Sequence, residues 1–298
     1  MPIRLMENFR AIFYAPYYAT HALGFYRREG VEVELLTSDA PGDGVSRLIE
    51  STVDATWGGP MRVMKAHDQD RHSPLVNFCE VVSRDPFFLI GKRGTGVFQL
   101  ADLASRKFAS VSEVPTPWIC LQQDLRDRSI DPDRLLRFSD RSMTDNYQAL
   151  QAGDIEVMQA FEPFASMAEN DSVGDILYAA SARGPTAYTA FIATREACVK
   201  HRDEFAAMTR ATAKILAWLY GNSTEELAKV IAGFFPEMPM NVLVQSLRRY
   251  KGATLWSRDT RMNSAGFAQL ARSLRSADFL SRMPGYDECV ELDLNGIR

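Results

Sequence analysis

Apolar and polar residues along the chain follow two spacings in alternation, and each spacing predicts a different element. Short apolar or period-two segments are typical of strands, whereas apolar residues three and four positions apart are typical of helices. Strands are predicted at residues 3–6, 31–36, 53–57, 75–82, 87–92, 108–111, 135–138 and 155–161. Helices are predicted at residues 19–29, 42–49, 61–67, 117–128 and 144–152. This alternation predicts an α/β fold with parallel or mixed sheets flanked by helices.

The last third of the chain has a different pattern. Residues 186–194 are apolar and β-prone, and helical spacing returns at residues 202–219, 224–234, 241–249 and 264–276. A length of 298 residues suits two lobes, each with its own core. A Gly-rich stretch at residues 93–96 interrupts the first alternation, so we place a lobe boundary near Lys92.

Composition and charge exclude several classes of protein. Apolar residues make up 46% of the chain and charged residues 24%, which is typical of a soluble globular protein. The formal net charge of −4 provides no basic field for nucleic acid, so we expect no nucleic-acid partner. No apolar run approaches the roughly 20 residues that a membrane-spanning helix needs, so we expect no membrane insertion.

The first ten residues bear on the cellular compartment. Arg4, Glu7 and Arg10 carry charges where a secretory signal requires an unbroken apolar stretch. The sequence as written therefore predicts no signal peptide and a cytoplasmic location. If an export signal was removed, or the start codon was assigned wrongly, the periplasm is the expected compartment instead.

The cysteines and histidines do not form a recognisable metal or catalytic motif. The chain has four cysteines, and they are far apart, without a C-x-x-C pair or a histidine at metal-ligand spacing. We interpret them as buried free thiols. No serine, cysteine or carboxylate is paired with a histidine in a way that sequence can identify. We therefore predict no metal, no cofactor and no catalytic residues.

Four motifs occur in order along the chain. They are residues 24–33 (GFYRREGVEV), Val53-Asp54-Ala55 with Gly58-Gly59-Pro60, Leu100-Ala-Asp-Leu103, and residues 149–155 (ALQAGDI) with Glu162-Pro163. Each motif alone contains little more than turn glycines and a capping aspartate. Their joint order resembles the nitrate/sulfonate/taurine and thiamine-pyrimidine-precursor group of ABC-transporter substrate-binding proteins.

The resemblance implies a two-lobed type II periplasmic-binding-protein fold with the ligand cleft between the lobes. Lobe 1 is expected to comprise residues 1–92 and 188–298, and lobe 2 residues 93–187. The resemblance also implies capture of a small organic ligand by lobe closure for ABC-type uptake, with a permease as partner. The ligand is expected to be planar or heteroaromatic: a pyrimidine related to thiamine precursors, a sulfonate or an aromatic acid.

Loops that follow the predicted strands carry many aromatic residues. In α/β sheets, ligands bind at the carboxyl ends of the strands, and aromatic rings stack on flat ligands. The aromatic candidates for ligand binding are Phe13, Tyr14, Tyr17, Tyr18, Trp57, Trp118 and Tyr188. For any one of them, burial in the core of a lobe is an equally good interpretation. We expect that Trp57→Ala or Trp118→Ala weakens ligand binding with little loss of fold.

Small and polar residues supply candidate hydrogen-bond donors. Gly58 and Gly59 precede one predicted helix, and Ser112 and Thr116 precede another, so backbone N–H groups there can hold an anionic or carbonyl group. Asn146 is a further candidate near a helix start. Ordinary helix capping explains these residues equally well.

The last candidate for ligand binding is Glu162. Glu162 is expected to accept a hydrogen bond from a ligand, or to form a salt bridge between the lobes with a residue such as Arg62.

A cytoplasmic enzyme on the same scaffold, in thiamine-precursor or aromatic-acid metabolism, is the alternative function. One eukaryotic branch of the resembled group makes a thiamine pyrimidine with a Lys and His four residues apart. Here Lys65 and His67 are two residues apart, which disfavours that thiamine pyrimidine synthase-like chemistry.

Overall fold

A computed structural model describes residues 1–38, 40–94 and 96–296. The chain divides into two compact units. Unit 1 comprises Met1–Arg84 and Pro185–Arg298, and unit 2 comprises Asp85–Gly184. Both ends of the chain thus belong to unit 1. The lobe limits expected from sequence, at Lys92 and Tyr188, stay a prediction and lie a few residues after the limits of these units.

The described residues form ten strands and thirteen α-helices, with short 3-10 turns between them. The strands are β1 Ile3–Met6, β2 Val33–Leu36, β3 Ala55–Gly58, β4 Leu75–Val82, β5 Phe88–Lys92, β6 Phe108–Ala109, β7 Arg137–Phe138, β8 Val157–Ala160, β9 Gly174–Ala179 and β10 Thr189–Thr194. The helices are α1 Ala15–Ala22, α2 Phe25–Arg28, α3 Asp43–Ile49, α4 Met61–Gln69, α5 Thr116–Arg126, α6 Met143–Ala152, α7 Phe164–Asn170, α8 Arg195–Lys200, α9 Arg202–Gly221, α10 Thr224–Ile231, α11 Met240–Gly252, α12 Ser264–Ser276 and α13 Tyr286–Cys289.

The sheet of unit 1 has the strand order β2-β1-β3-β10-β4. Strand β1 pairs in parallel with β2 and β3, whereas β10 is antiparallel to β3 and β4. The sheet is therefore mixed. Two of its strands are buried along their whole length: all eight residues of β4 are buried, as are all four of β3. Burial on both faces explains why neither strand alternates apolar and polar residues, and β4 buries Asn77 and Glu80 along with its apolar side chains.

The sheet of unit 2 repeats this arrangement, with the strand order β7-β6-β8-β5-β9. Strand β6 pairs in parallel with β7 and β8, and β5 is antiparallel to β8 and β9. The hydrophobic core of the unit includes Leu89, Phe108, Leu121, Leu125 and Val157. Together with unit 1, this confirms the predicted α/β fold class, with a mixed sheet in each lobe.

Several boundaries differ from those predicted. The single helix expected at residues 19–29 is two helices, because Gly24 has a φ of 69° and ends the first one. Helix α7 and strand β9 were not predicted. Strand β9 lies at the edge of its sheet, and its last four residues are half-buried, so it lacks the alternation that identifies a strand.

Candidate functional site

One edge of the sheet in unit 1 collects most of the predicted site residues of that unit. Strands β1 and β3 end at this edge, and the antiparallel strand β10 begins there. Asn8 follows β1, Gly59 follows β3, and Tyr188 precedes β10. An ideal Cβ on Gly59 would lie 3.6 Å from the carbonyl oxygen of Tyr188, so the two segments are neighbours. We call this region, where β1 and β3 end and β10 begins, the β3 edge.

Aromatic rings converge on Trp57 beneath the β3 edge. The ring of Tyr17 stacks on the indole with centroids 4.5 Å apart, and Tyr14 and Tyr18 contact it edge-on at 5.9 and 5.8 Å. Phe13 meets Tyr188 edge-on at 6.5 Å. The structure thus brings together every aromatic candidate of unit 1, and each is less than a tenth exposed. Their contact with a ligand stays a prediction.

We call Trp57 and the rings of Tyr14, Tyr17 and Tyr18 around it the Trp57 cluster. Two buried polar atoms of this cluster have no hydrogen-bond partner among the described residues. They are Nε1 of Trp57 and the hydroxyl of Tyr17. A buried N–H donor that forms no hydrogen bond is costly, by about 1–3 kcal/mol. Burial raises the pKa of Tyr17 well above its ordinary value, so its hydroxyl keeps its proton. Both side chains are therefore available as donors to a polar group or to water.

A second set of polar residues lies at the end of β1. Both carboxylate oxygens of Glu7 accept hydrogen bonds from Arg10, at 2.7 and 2.9 Å, and the Tyr18 hydroxyl donates to Glu7 at 2.9 Å. Asn8 donates from Nδ2 to the Tyr14 hydroxyl at 3.3 Å and accepts at Oδ1 from the backbone N–H of Gly42 at 3.0 Å. Burial raises the pKa of Tyr14 to about 12. These bonds fix the side chains at the β3 edge.

Gly58 and Gly59 lead from β3 into helix α4. Pro60 occupies the N-cap position, and no side-chain hydrogen bond caps the helix. The backbone N–H of Arg62 donates to the carbonyl of Gly59 at 3.0 Å. Helix capping therefore does not explain why glycines occur at these two positions. Their role as hydrogen-bond donors to a ligand stays a prediction.

In unit 2, the predicted residues near helix α5 have different surroundings. Ser112 is exposed, and its hydroxyl donates to the carbonyl of Arg141 at 2.8 Å. Thr116 is the first residue of α5 and is half-buried. Trp118 packs against the hydrophobic core of the unit, and the guanidinium of Arg137 lies over its ring at 4.5 Å from the centroid. Residues two apart on a helix point in different directions, so Thr116 and Trp118 do not share one face.

Asn146 and Glu162 are both buried in unit 2. Nδ2 of Asn146 lies 3.5 Å from the carbonyl oxygens of Ser110 and Arg141, and its Oδ1 has no hydrogen-bond partner among the described residues. The carboxylate of Glu162 accepts hydrogen bonds from the backbone N–H and the hydroxyl of Ser166, at 2.9 and 3.0 Å. Glu162 thus stabilises the start of helix α7. Its two predicted roles stay predictions.

The sequence did not identify a buried charge network in unit 2. Arg183 pairs with Asp85 at 3.0 Å and with Asp124, to which Nε donates at 2.7 Å. The Tyr178 hydroxyl also donates to Asp124, at 2.9 Å. Burial raises the pKa of Asp85. Asp85 and Arg183 are 98 positions apart in the sequence, so no local pattern predicts that they pair.

Two further findings concern metals and membranes. Among residues 1–38, 40–94 and 96–296, no group of three His, Cys, Asp or Glu side chains has a geometry that could hold a metal ion. No described helix combines the length and the apolar composition needed to cross a bilayer. The four cysteines are buried free thiols, at Cys79, Cys120, Cys198 and Cys289.

The family described as "NMT1/THI5 like" matches residues 12–226 of the chain. This match spans more than half of the sequence, so the chain belongs to that family. The family resemblance inferred from the four motifs is confirmed. A curated relative, "Putative binding protein YtlA" of Bacillus subtilis strain 168, is 24% identical over 98% of this chain and 88% of its own length.

Solved structures with similar folds cover almost the whole chain. The periplasmic aliphatic sulphonate binding protein SsuA from Escherichia coli has a TM-score of 0.75 at 14% identity, with 98% of each chain covered. A ligand binding component of an ABC-type import system from Staphylococcus aureus, crystallised with zinc, has a TM-score of 0.76 at 17% identity, with 99% of this chain and 97% of that chain covered. At these identities the comparison establishes the fold, which is that of periplasmic binding proteins.

Proposed function

We propose that this chain is the solute-binding component of an ABC-type importer and that it captures a small, planar organic molecule. A permease is the partner that follows from this role. Membership of the NMT1/THI5-like family supports the binding function, and so do the binding proteins among its relatives. The ligand classes that we favour are pyrimidines related to thiamine precursors, sulfonates and aromatic acids.

The observation that carries the proposal is the Trp57 cluster at the β3 edge. It combines stacked and edge-on rings with a buried indole N–H that lacks a partner among the described residues. Ligand sites are mostly apolar with a few placed polar groups, and they occur at strand ends in α/β sheets. A flat molecule with a hydrogen-bond acceptor at its edge matches this combination.

Candidate residues of unit 2 are proposed as further contacts of the ligand. From unit 2 we propose Ser112, Thr116, Asn146 and Glu162 as contributors, together with Trp118. Thr116 is the strongest of these, because its hydroxyl lies at the start of an eleven-residue helix that has no side-chain cap at its N-cap residue, Pro115. The buried Oδ1 of Asn146 is an acceptor that a ligand donor can satisfy.

Mass spectrometry of small molecules released from the purified protein tests this proposal. The protein is denatured, and the organic molecules released are identified and quantified against the amount of chain. A binding protein should release one compound at close to one molecule per chain, and the compound should be recovered unchanged after incubation with fresh protein. Conversion of that compound into a product would contradict the proposal and favour the enzyme alternative.

A further inference from the structure

Arg62 is the second residue of helix α4 and lies at the β3 edge. Its side chain is half-buried. It passes so close to the backbone of Gly42 that an ideal Cβ on that glycine would lie 2.6 Å from Nη1 of the guanidinium. Gly42 has a φ of 103°, which disfavours any residue with a side chain at this position. The glycine therefore leaves the space in which the guanidinium sits.

Within unit 1, the guanidinium of Arg62 forms no hydrogen bond and no ion pair with any described residue. The contrast with Arg10 at the same edge is clear, because Arg10 binds both oxygens of Glu7. Glu7 is also bound by Tyr18, so its carboxylate is already satisfied. The charge of Arg10 is thus neutralised by Glu7, whereas the charge of Arg62 is not neutralised by any described residue of unit 1.

A guanidinium without an anion is an unusual group to place in a partly desolvated site. It keeps its charge at all physiological pH values and offers five N–H donors in a planar fork. Burial lowers the pKa of Arg62, which reports the cost of removing its charge from water. A charge that is partly removed from water gains from an anion beside it, so a half-buried arginine without one is a candidate site for an anion from a bound molecule.

A tyrosine hydroxyl lies near Arg62. The positive charge of Arg62 acts on the hydroxyl of Tyr14, which also accepts a hydrogen bond from Asn8. The Tyr14 ring also contacts the indole of Trp57, with centroids 5.9 Å apart. Arg62 thus lies on the polar side of the aromatic cluster, and a molecule that contacts both would have a flat body and a charged end.

We propose that Arg62 binds an oxyanion of the ligand, a carboxylate or a sulfonate, while the flat body of the ligand lies against the Trp57 cluster. This inference rests on the proposed binding function and specifies the ligand class of the same site. Bidentate hydrogen bonds from arginine match the planar geometry of a carboxylate and also suit the oxygens of a sulfonate. Arg62 is therefore a specificity-determining residue that rejects neutral analogues.

Titration calorimetry with three matched probes tests the inference. Benzoate and benzenesulfonate carry the two anions, and benzamide is the neutral analogue of benzoate. Wild-type protein should bind at least one of the two anions at least about tenfold more tightly than benzamide, because charge-assisted hydrogen bonds are the stronger ones. The preferred anion identifies the carboxylate or the sulfonate as the ligand group.

Three variants separate the charge of Arg62 from other effects. Arg62→Gln should weaken binding of the preferred anion at least about tenfold and leave binding of benzamide unchanged, since only the anion needs the positive charge. Arg47→Gln removes an exposed arginine of helix α3 in the same unit and should change neither. Arg62→Lys should restore part of the affinity, because the charge returns without the planar fork.

The melting temperature without any probe distinguishes a ligand partner from a partner within the protein. If Arg62 awaits a ligand, Arg62→Gln should melt at least as high as Arg47→Gln, because it removes a desolvated charge. A lower melting temperature for Arg62→Gln would overturn the inference in favour of an internal pair such as one with Glu162. Equal affinity of Arg62→Gln and wild type for the anions would also overturn it.

The outcomes also separate this inference from the proposed function. Tight binding of a neutral compound such as cytosine, equal in wild type and Arg62→Gln, overturns the oxyanion inference and leaves the binding function supported. A wild-type protein that binds none of the anions, benzamide or cytosine overturns the oxyanion inference and counts against the binding function as well.

Discussion

The phenol ring of Tyr17 lies parallel to the indole of Trp57, with centroids 4.5 Å apart and an interplanar angle of 3°. The two rings come from helix α1 and strand β3, so the stack joins the first helix of unit 1 to its sheet. Trp57 is only 1% exposed. The stack is thus part of the core of the unit, as well as the base of the proposed site.

Trp57→Ala should destabilise the protein strongly, which differs from the expectation drawn from sequence. Removal of a buried tryptophan leaves a cavity and loses its ring contacts, at a cost of about 3–5 kcal/mol. Urea denaturation measures this change. Trp118→Ala is the matched control, because Trp118 is half-buried and should cost less. Equal losses of stability in the two variants would show that the burial of Trp57 does not determine how much it stabilises the protein.

Gly42→Ala should weaken binding of the preferred anionic probe while Arg62 is retained. The added Cβ would lie 2.6 Å from Nη1, so the guanidinium must move. Gly30→Ala is the matched control, because Gly30 also has a positive φ but an added Cβ there meets no atom within 4 Å. Both variants should lose stability through backbone strain, and calorimetry should show lost affinity only for Gly42→Ala. Equal affinity of the two variants would contradict the assigned role of Arg62.

Arg183 should be essential for the stability of unit 2. It pairs with Asp85 and Asp124, and all three side chains are at most 5% exposed. Arg183→Met leaves two buried carboxylates without their cation, at a cost of about 3–5 kcal/mol in the free energy of unfolding. Arg134→Met, at an exposed pair with Asp131, should change urea denaturation little. A similar small effect in both variants would contradict the importance of the buried network.

Glu80 should make the stability of the protein depend on pH. Its side chain is buried in strand β4, and burial raises its pKa well above the ordinary 4.5. Between the unfolded and folded pKa values the unfolded chain binds fewer protons than the native chain, so stability falls as the pH rises. Glu80→Gln removes this term. The free energy of unfolding of the variant, relative to wild type, should therefore rise by up to about 1.4 kcal/mol per pH unit above pH 4.5.

Denaturation of both proteins at a series of pH values between 4 and 8 measures the effect of Glu80. The difference between variant and wild type isolates Glu80, because the other ionisable groups are common to both proteins. A difference that does not change with pH would show that Glu80 ionises in the native protein as freely as in the unfolded chain.

Local patterns predicted much of the fold. Strand β4 and helix α12 have the predicted bounds, because one is a largely apolar, fully buried segment and the other begins at an Asn263 cap with regular helical spacing. Helix α7 was missed because the signal for its start is the carboxylate of Glu162, for which the sequence favoured a role in ligand binding. Elements with a clear periodicity or cap were thus predicted, whereas those without one, such as β9, were not.

The candidate site was harder to predict from the sequence. The aromatic residues of unit 1 are close in sequence to strand ends, so their convergence could be predicted from topology. Arg62 could not, because the absence of a partner among the described residues of unit 1 depends on Glu7 being occupied by Arg10 and Tyr18. The packing of Trp118 against Arg137 could not be predicted either, since it depends on a contact with strand β7.

A thermal-denaturation screen of the intact protein tests the central claim most directly. The panel consists of pyrimidines, flavins, sulfonates and aromatic acids, each at a concentration well above the expected Kd. A ligand that binds only the native state stabilises it by about 2.7 kcal/mol at a concentration of 100 times Kd, which raises the melting temperature by several degrees. The account predicts that at least one member raises the melting temperature and is recovered chemically unchanged. No stabilisation by any member, with turnover of one of them, would contradict it.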